Sequence, residues 1–479
     1  SPYLPMTRLF TSPLYLRVED ILEYGQLPQH ARHQIAELAA PLRTANTTAD
    51  LIDRDAVWVA KRAALRLVWE VALSSERTAA YQAYRAERGR DLRYWSVWCA
   101  LAERHGPDWR NWPAELADPG RAEQLAGSDP ELSRAAEFHA WLQWQADEQL
   151  AAAQNAARAA GMAYGIIHDL AVGVHPGGAD AWAHQDELVA GFSVGAPPDG
   201  FNQIGQNWSQ PPWHPGRLQA TGYQPLADLF SAQLRHAGGI RVDHVMGLMR
   251  LWWIPDGQRP DQGTYVSYDH HASVATLVTA TAQAGGVAIG EDLGTVEPWI
   301  RDYLARHAIL GTEMLWFARD HNGDPLPPEQ WRRACMATVG THDMPTVAGF
   351  RSGEQVTVRA RLGLLTTPED RERASSADML ARWQAALVAN ALLPAGKEPD
   401  TERFTVALYG YLGKTPALLL GVSLADAVGE LRTQNIPGTT DEYPNWRIPL
   451  CDDQGRAVLL ADLPGRKLLQ EVCGAVQPG

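Results

Sequence analysis

The chain has 479 residues, 45% of them hydrophobic and 20% charged, and a formal net charge of −14. That composition supplies a large globular core, while an acidic surface repels phosphate backbones and argues against nucleic acid as a partner. No apolar run reaches the ~18 uncharged residues that a membrane span needs. Four cysteines, at 99, 335, 451 and 473, form no CxxC pair, which fits reduced thiols in a cytoplasmic protein better than a zinc site or a disulfide framework. No signal sequence is visible after Ser1.

Residues 20–135 read as a helical subdomain. Over 56–73, Val57, Leu65, Val68, Trp69 and Ala72 fall near one helical face among charged residues. Pro107, Pro113, Pro119 and Pro130 interrupt the stretch C-terminal to it. A long helix is predicted over 137–161, with Phe138, Trp141, Leu142 and Leu150 on one side and Gly161 as its stop.

A motif then recurs three times: a Gly-containing helix end, a short apolar run, and an acid. The copies are Ala160-Gly161, run 163–167, Asp169; Gly238-Gly239, run 240–242, Asp243; and Gly285-Gly286, run 287–289, Glu291-Asp292. Glycine accepts the left-handed turn that ends a helix, and the apolar run suits a strand buried on both faces. Further strands are expected at 313–317, 336–339 and 417–422, six in all, separated by helical segments. Alternating strands and helices give a parallel sheet or a closed barrel. Acids gathered at the C-terminal strand ends favour the α/β (β/α)8 barrel, whose active sites lie at that face. An open doubly wound sheet is the alternative, and no GxGxxG loop follows a strand to support it.

Three acids carry the chemistry. Strand alternation puts Arg241 and Asp243 on one face of Arg241-Val242-Asp243-His244, where the guanidinium keeps the carboxylate ionised as a nucleophile requires. A bracing Arg–Asp pair is an equally good reading of that observation alone. Glu291 stands at the next strand tip, where like charge from Asp292 and Asp243 is expected to raise its pKa, as an acid catalyst needs; Asp292 or Thr295 also suits the cap of a helix starting near Val296. Asp343, in Gly340-Thr341-His342-Asp343, follows another apolar run and can hydrogen-bond sugar hydroxyls; as a single observation it reads better as an Asp that opens a turn before Pro345. Taken together, the three suit cleavage of a sugar acetal, which needs a carboxylate on one side and a proton donor on the other. His270-His271 lacks metal-ligand spacing and HExxH is absent.

The sequence resembles the 4-α-glucanotransferases, also called amylomaltases or disproportionating enzymes, glycoside hydrolase family 77 of the α-amylase-like clan. The matching stretches are Ser1-Pro2-Tyr3, His168-Asp169-Leu170-Ala171-Val172-Gly173, Ala179-Asp180-Ala181-Trp182, 195–208, 240–244, 290–294, 341–343 and 435–446, in family order from one end to the other. The resemblance implies a retaining transfer of α-1,4-glucan segments to the 4-hydroxyl of an acceptor glucan or glucose, with maltooligosaccharides and α-glucans as partners and no cofactor. The alternatives are a hydrolase of the same clan or an inactive glucan-binding fragment. It implies Asp243 as nucleophile, Glu291 as acid/base, and Asp343 with His342 as stabiliser of the sugar in the cleavage subsite. Tyr3 and Arg241 belong to the same subsite. Trp208, Phe201 and Gln206 belong to an acceptor loop over 195–208, and Asp292 contacts the acceptor sugar. The implied organisation is a barrel segment over 1–19, a helical insertion over 20–135, and a catalytic barrel over 136–479 with a further helical insertion near 355–400. Against relatives, Ser1 falls where a second barrel strand has just ended, so two strands are expected to be missing. Gly200 and Met344-Pro345 depart from residues that some relatives carry.

Overall fold

The computed structural model describes residues 1–198, 205–294 and 296–477. The strands, in chain order, are β1 (Ile167–Leu170), β2 (Phe192–Ala196), β3 (Gln206–Gln210), β4 (Gly239–Val242), β5 (Arg250–Pro255), β6 (Thr264–Ser267), β7 (Val287–Gly290), β8 (Ile309–Met314), β9 (Cys335–Thr338) and β10 (Leu419–Gly421). The chain divides into two compact units, one of Ser1–Ala39 with Arg54–Ile309, the other of Ala40–Asp53 with Leu310–Gly479. Both are α/β. Among the described residues no helix is long and apolar enough to cross a membrane.

In the first unit β1, β4 and β7 are parallel and in register: Asp169 pairs with Arg241, Arg241 with Ile289, and Val242 with Gly290. Ile240 and Val242 are buried among Leu229, Phe230, Val274 and Leu277. Alternation therefore sends Arg241 to the opposite face. Gly238 leads into β4 for a steric reason: a Cβ there would sit 1.6 Å from the carbonyl oxygen of Tyr164. This differs from the expected left-handed helix stop, which holds at Gly161 (φ 92°) and Gly285 (φ 60°).

The first expected strand starts late, at Ile167 rather than 163. The Gln154 side chain takes up the backbone before it, donating to the Tyr164 carbonyl at 3.0 Å and accepting from the Ile166 N–H at 2.7 Å. The long helix runs Pro130–Ala159, seven residues earlier than expected. Pro130 opens it instead of interrupting it, because proline suits the first helical position and Asp129 caps the N–H groups of Glu131 and Leu132. This helix, Ser75–His105 and Arg54–Trp69 share a core of Leu65, Val68, Tyr81, Phe138, Trp141 and Trp144.

A second sheet of this unit was not anticipated. It is antiparallel, in the order β3-β2-β5-β6, and both ends of the 195–208 segment read as an acceptor loop are strand: Gly195 and Ala196 lie on β2, Gln206 and Trp208 on β3.

In the second unit β8, β9 and β10 are parallel. β8 lies at Ile309–Met314, not 313–317. Its pairing ends at Met314 opposite Thr338, and the chain then closes a turn, with the Ala318 N–H donating to the Met314 and Leu315 carbonyls at 3.1 Å each. Trp316, Val339, Phe350, Trp383 and Phe404 belong to its core, and the helices Glu354–Arg361 and Glu369–Ala389 occupy much of the region near 355–400 read as helical.

Candidate active site

Asp243 and Glu291 stand one residue beyond register-matched ends of two paired strands, and the backbone stays bonded past those ends. The Asp243 N–H donates to the Leu170 carbonyl (3.0 Å), Glu291 N–H to Val242 (2.9 Å) and Val245 N–H to the Glu291 carbonyl (3.0 Å). Both acids are therefore fixed at the same level, at the C-terminal edge of the parallel strands.

Arg241 organises the surroundings of Asp243. One guanidinium nitrogen donates to Asp169 Oδ1 at 2.6 Å and to Asp243 Oδ1 at 3.1 Å. It also reaches the Tyr3 hydroxyl at 3.4 Å, and that hydroxyl donates to Asp169. Burial works against the charge of Arg241, but Asp169 and Asp243 outweigh it and hold the guanidinium above its ordinary range. Burial, then Asp169, push the Tyr3 hydroxyl up, so it stays a neutral donor. Gln210 anchors Tyr3 by donating to its carbonyl at 2.6 Å.

Glu291 sits in a cradle of two backbone donors, Leu293 N–H to Oε1 at 2.7 Å and His244 N–H to Oε2 at 3.0 Å. Its pKa is raised, as expected, but the cause is different. Burial is the largest contribution, the two N–H groups and Arg241 oppose it, and Asp292 adds a smaller upward push. His244 delivers its N–H from a left-handed backbone (φ 45°). Burial pushes its ring down to about 4, so the imidazole is neutral at pH 7. The ring meets Trp208 edge to face at 5.1 Å, and the Trp208 indole N–H donates to Gln206 Oε1 at 3.2 Å. The structure thus gathers Tyr3, Arg241, Asp243, Glu291, Trp208 and Gln206 within the first unit. Phe201 lies outside the described residues.

Asp292 has no exposed surface and faces Arg301 at 3.6 Å. The N-cap position of the following helix, Pro298–Arg306, is Glu297 rather than Asp292, and Thr295 lies outside the described residues.

The second unit carries its own cluster beyond the end of β9. The Met344 N–H closes a turn on the Thr341 carbonyl (3.1 Å), leaving Asp343 exposed. Asn435 donates to Asp343 Oδ1 at 2.6 Å, His342 Nε2 lies 3.6 Å from Oδ2, and Trp446 packs on the His342 ring at 5.0 Å.

Three residues with clear contacts here were absent from the sequence-derived set. Asp169 carried the same signal as Asp243, an acid closing the repeated motif. His244 and Asn435 lay inside the family-like stretches, but no local pattern gives a backbone N–H or an amide 92 residues away a partner.

The comparisons with known proteins agree over most of the chain. A family model described as 4-alpha-glucanotransferase matches residues 1–453. A 4-alpha-glucanotransferase of Mycobacterium bovis is 53% identical over 467 residues, 97% of this chain and 64% of that protein; one of Haemophilus influenzae is 31% identical over 93% and 67%. The chain thus spans about 64% of the length of its mycobacterial relatives. The amylomaltase of Corynebacterium glutamicum has a similar structure, with a TM-score of 0.91 at 45% identity, covering all of this chain and 67% of that one. Amylomaltase from Streptococcus agalactiae in complex with acarbose matches with a TM-score of 0.77 at 18% identity over 100% and 89%, a likeness of fold alone. On the family match and these identities, the chain belongs to the 4-alpha-glucanotransferase family.

Proposed function

We propose that the chain moves α-1,4-glucan segments from a donor glucan to the 4-hydroxyl of an acceptor by retaining double displacement. The observation that carries this reading is the pairing of Asp243 and Glu291 at matched tips of adjacent parallel strands, the first beside a guanidinium and the second buried with a raised pKa. Those environments suit a carboxylate that stays charged and a carboxyl that keeps its proton, the division of labour that glycoside cleavage needs.

Asp243 attacks the anomeric carbon while Glu291 protonates the departing oxygen. Glu291, now ionised, then takes the proton of the acceptor's 4-hydroxyl as the acceptor displaces Asp243. Retention requires the two carboxyls about 5–5.5 Å apart. Arg241 and Tyr3 hold the cleavage subsite, and Asp343 with His342 binds the hydroxyls of the sugar cleaved there. Trp208 and Gln206, with Phe201, serve the acceptor, offering an apolar face that helps it compete with water. Asp292 is a brace with Arg301. The same proposal reads β1, β4 and β7 of the first unit as strands of a (β/α)8 barrel. The free cysteines at 99, 335, 451 and 473 are in keeping with a reducing cytoplasm.

Maltotriose supplies the test. Transfer yields a ladder of longer and shorter oligomers, and hydrolysis yields shorter products only. Glu291→Gln is expected to lower turnover by about 10²–10⁴-fold, the usual weight of a general acid, with maltotriose binding retained. Shorter products alone from the wild-type chain, or full turnover by the variant, refute the reading.

A further inference from the structure

The segment 433–447 carries a sequence motif for which the proposed mechanism has no use. In the structure it is a closed loop built around Asn445. The Asn445 side-chain oxygen accepts from the Ile436 N–H at 2.9 Å, and its amide donates to Thr439 Oγ1 at 2.8 Å and to the Thr439 and Thr440 carbonyls at 3.3 and 3.2 Å. The Trp446 N–H reaches the Gln434 carbonyl at 3.0 Å, and the Tyr443 hydroxyl donates to the Thr433 carbonyl at 2.7 Å. Trp446 takes a left-handed backbone, φ 62°, a conformation a large side chain adopts only where its surroundings hold it there. The loop is anchored from outside as well. The Ile52 N–H donates to the Arg447 carbonyl at 2.7 Å and Arg447 returns a bond to the Ile52 carbonyl at 3.3 Å.

The two ends of this loop converge on one turn. From one end the Asn435 amide donates to Asp343 Oδ1, and the Asn435 backbone N–H donates to the His342 carbonyl at 3.2 Å. From the other, Trp446 packs on the His342 ring. Asp343 needs such support. It lies on a short turn with 46% of its side chain exposed, where a carboxylate samples several rotamers. An amide is the donor type that fixes one rotamer and leaves the negative charge in place, which an arginine or lysine would partly neutralise.

We infer that the loop 433–447 is a preformed brace for the Thr-His-Asp turn, with Asn435 the positioning residue for Asp343 and Asn445 the hub that holds Asn435 in reach. The inference rests on the role proposed for Asp343 in binding the cleaved sugar.

The test uses the full chain. Asn435→Ala is expected to lower kcat on maltotriose about ten-fold or more with KM changed less than two-fold, because the lost support matters most in the transition state. In its crystal structure Asp343 occupies more than one rotamer. Asn435→Asp replaces the amide donor by an acceptor that repels Asp343, so kcat falls at least as far as in Asn435→Ala although the side chain keeps its size, a result that loosened packing alone does not produce. Asn445→Ala lowers kcat in the same direction. If Asn435→Ala does not fold, Asn435→Ser serves, since its hydroxyl falls short of Oδ1. Asp343 found in its original single rotamer in the alanine or serine variant overturns the inference whatever the activity. Unchanged kcat in that variant, or wild-type kcat in Asn435→Asp, also overturns it. A wild-type chain without transfer refutes the proposed function instead, and the rotamer result then decides the inference alone.

Discussion

Replacing Arg241 by Met keeps much of the side chain's length and removes one charge from between two carboxylates. The guanidinium touches Asp169 at 2.6 Å and Asp243 at 3.1 Å. Unit charges about 4 Å apart at an effective dielectric of about 20 attract by roughly 4 kcal/mol. Here the Arg side chain is 14% exposed, but its partners are 38% and 23% exposed, so water screens part of that attraction. The expected loss of stability is about 1–3 kcal/mol, below the ~3–5 typical of a fully buried pair. The functional effect has a definite sign. A carboxylate that loses a neighbouring cation keeps its proton to higher pH, and a protonated Asp243 cannot attack. The acid limb of kcat/KM with maltotriose therefore moves up by about one pH unit or more, and activity at neutral pH falls at least ten-fold. Arg241→Lys, with a point charge in place of a fork, recovers part of the shift. Kinetics over pH 4–9 with parallel urea unfolding read both effects. An acid limb that stays in place in a folded Arg241→Met variant, with kcat/KM within about three-fold of wild type, refutes the assignment of Arg241 as the group that keeps the nucleophile charged.

Other consequences rest on single contacts. Asp426 is buried, accepting from the Val347 N–H and the Tyr409 hydroxyl at 2.8 Å each, and burial pushes its carboxyl up to about 6 from an ordinary 3.8. The folded state therefore resists its ionisation, and at about 1.4 kcal/mol per pH unit stability falls by ~3 kcal/mol as pH rises from about 3.8 to about 6; Asp426→Asn should lack this slope in urea unfolding between pH 3.5 and 7. Trp208→Ala removes the ring that meets His244, and the ratio of transfer to hydrolysis on maltotriose should fall about five-fold, the worth of ~1 kcal/mol of stacking to the acceptor. Gly238→Ala places a methyl against the Tyr164 carbonyl at a distance no contact tolerates, so the urea midpoint should drop by an amount worth about 2 kcal/mol or more.

The parts of this fold that were legible in the sequence are those where one local pattern has one physical solution. The runs before Asp243 and Glu291 are short, apolar and closed by an acid, and they became β4 and β7 with the acids one residue beyond their ends. The Arg241–Asp243 pair followed from alternation alone. What escaped is set by partners distant in the chain. The start of β1 is decided by Gln154, the length of β8 by where β9 stops, and the entry to β4 by the Tyr164 carbonyl. The strands β2 and β3 of the antiparallel sheet escaped because they lie in a stretch rich in Gly, Pro and Asn, a composition that reads as a loop. The raised pKa of Glu291 was anticipated from neighbouring acids, yet burial, which depends on the whole packed unit, contributes most. His244 shows the limit best: its contribution to the site is a backbone N–H set by φ 45°, a property of the fold that no side-chain pattern announces.

The central claim is that Asp243 forms the bond to sugar and Glu291 handles the proton. Glu291→Gln incubated with α-maltosyl fluoride, whose leaving group needs no proton, should accumulate a covalent sugar adduct, because the glutamine cannot activate the acceptor for the second step. Peptide mass spectrometry should place that adduct on Asp243, and wild-type products should keep the α configuration. An adduct on another residue, or products of inverted configuration, would contradict the account.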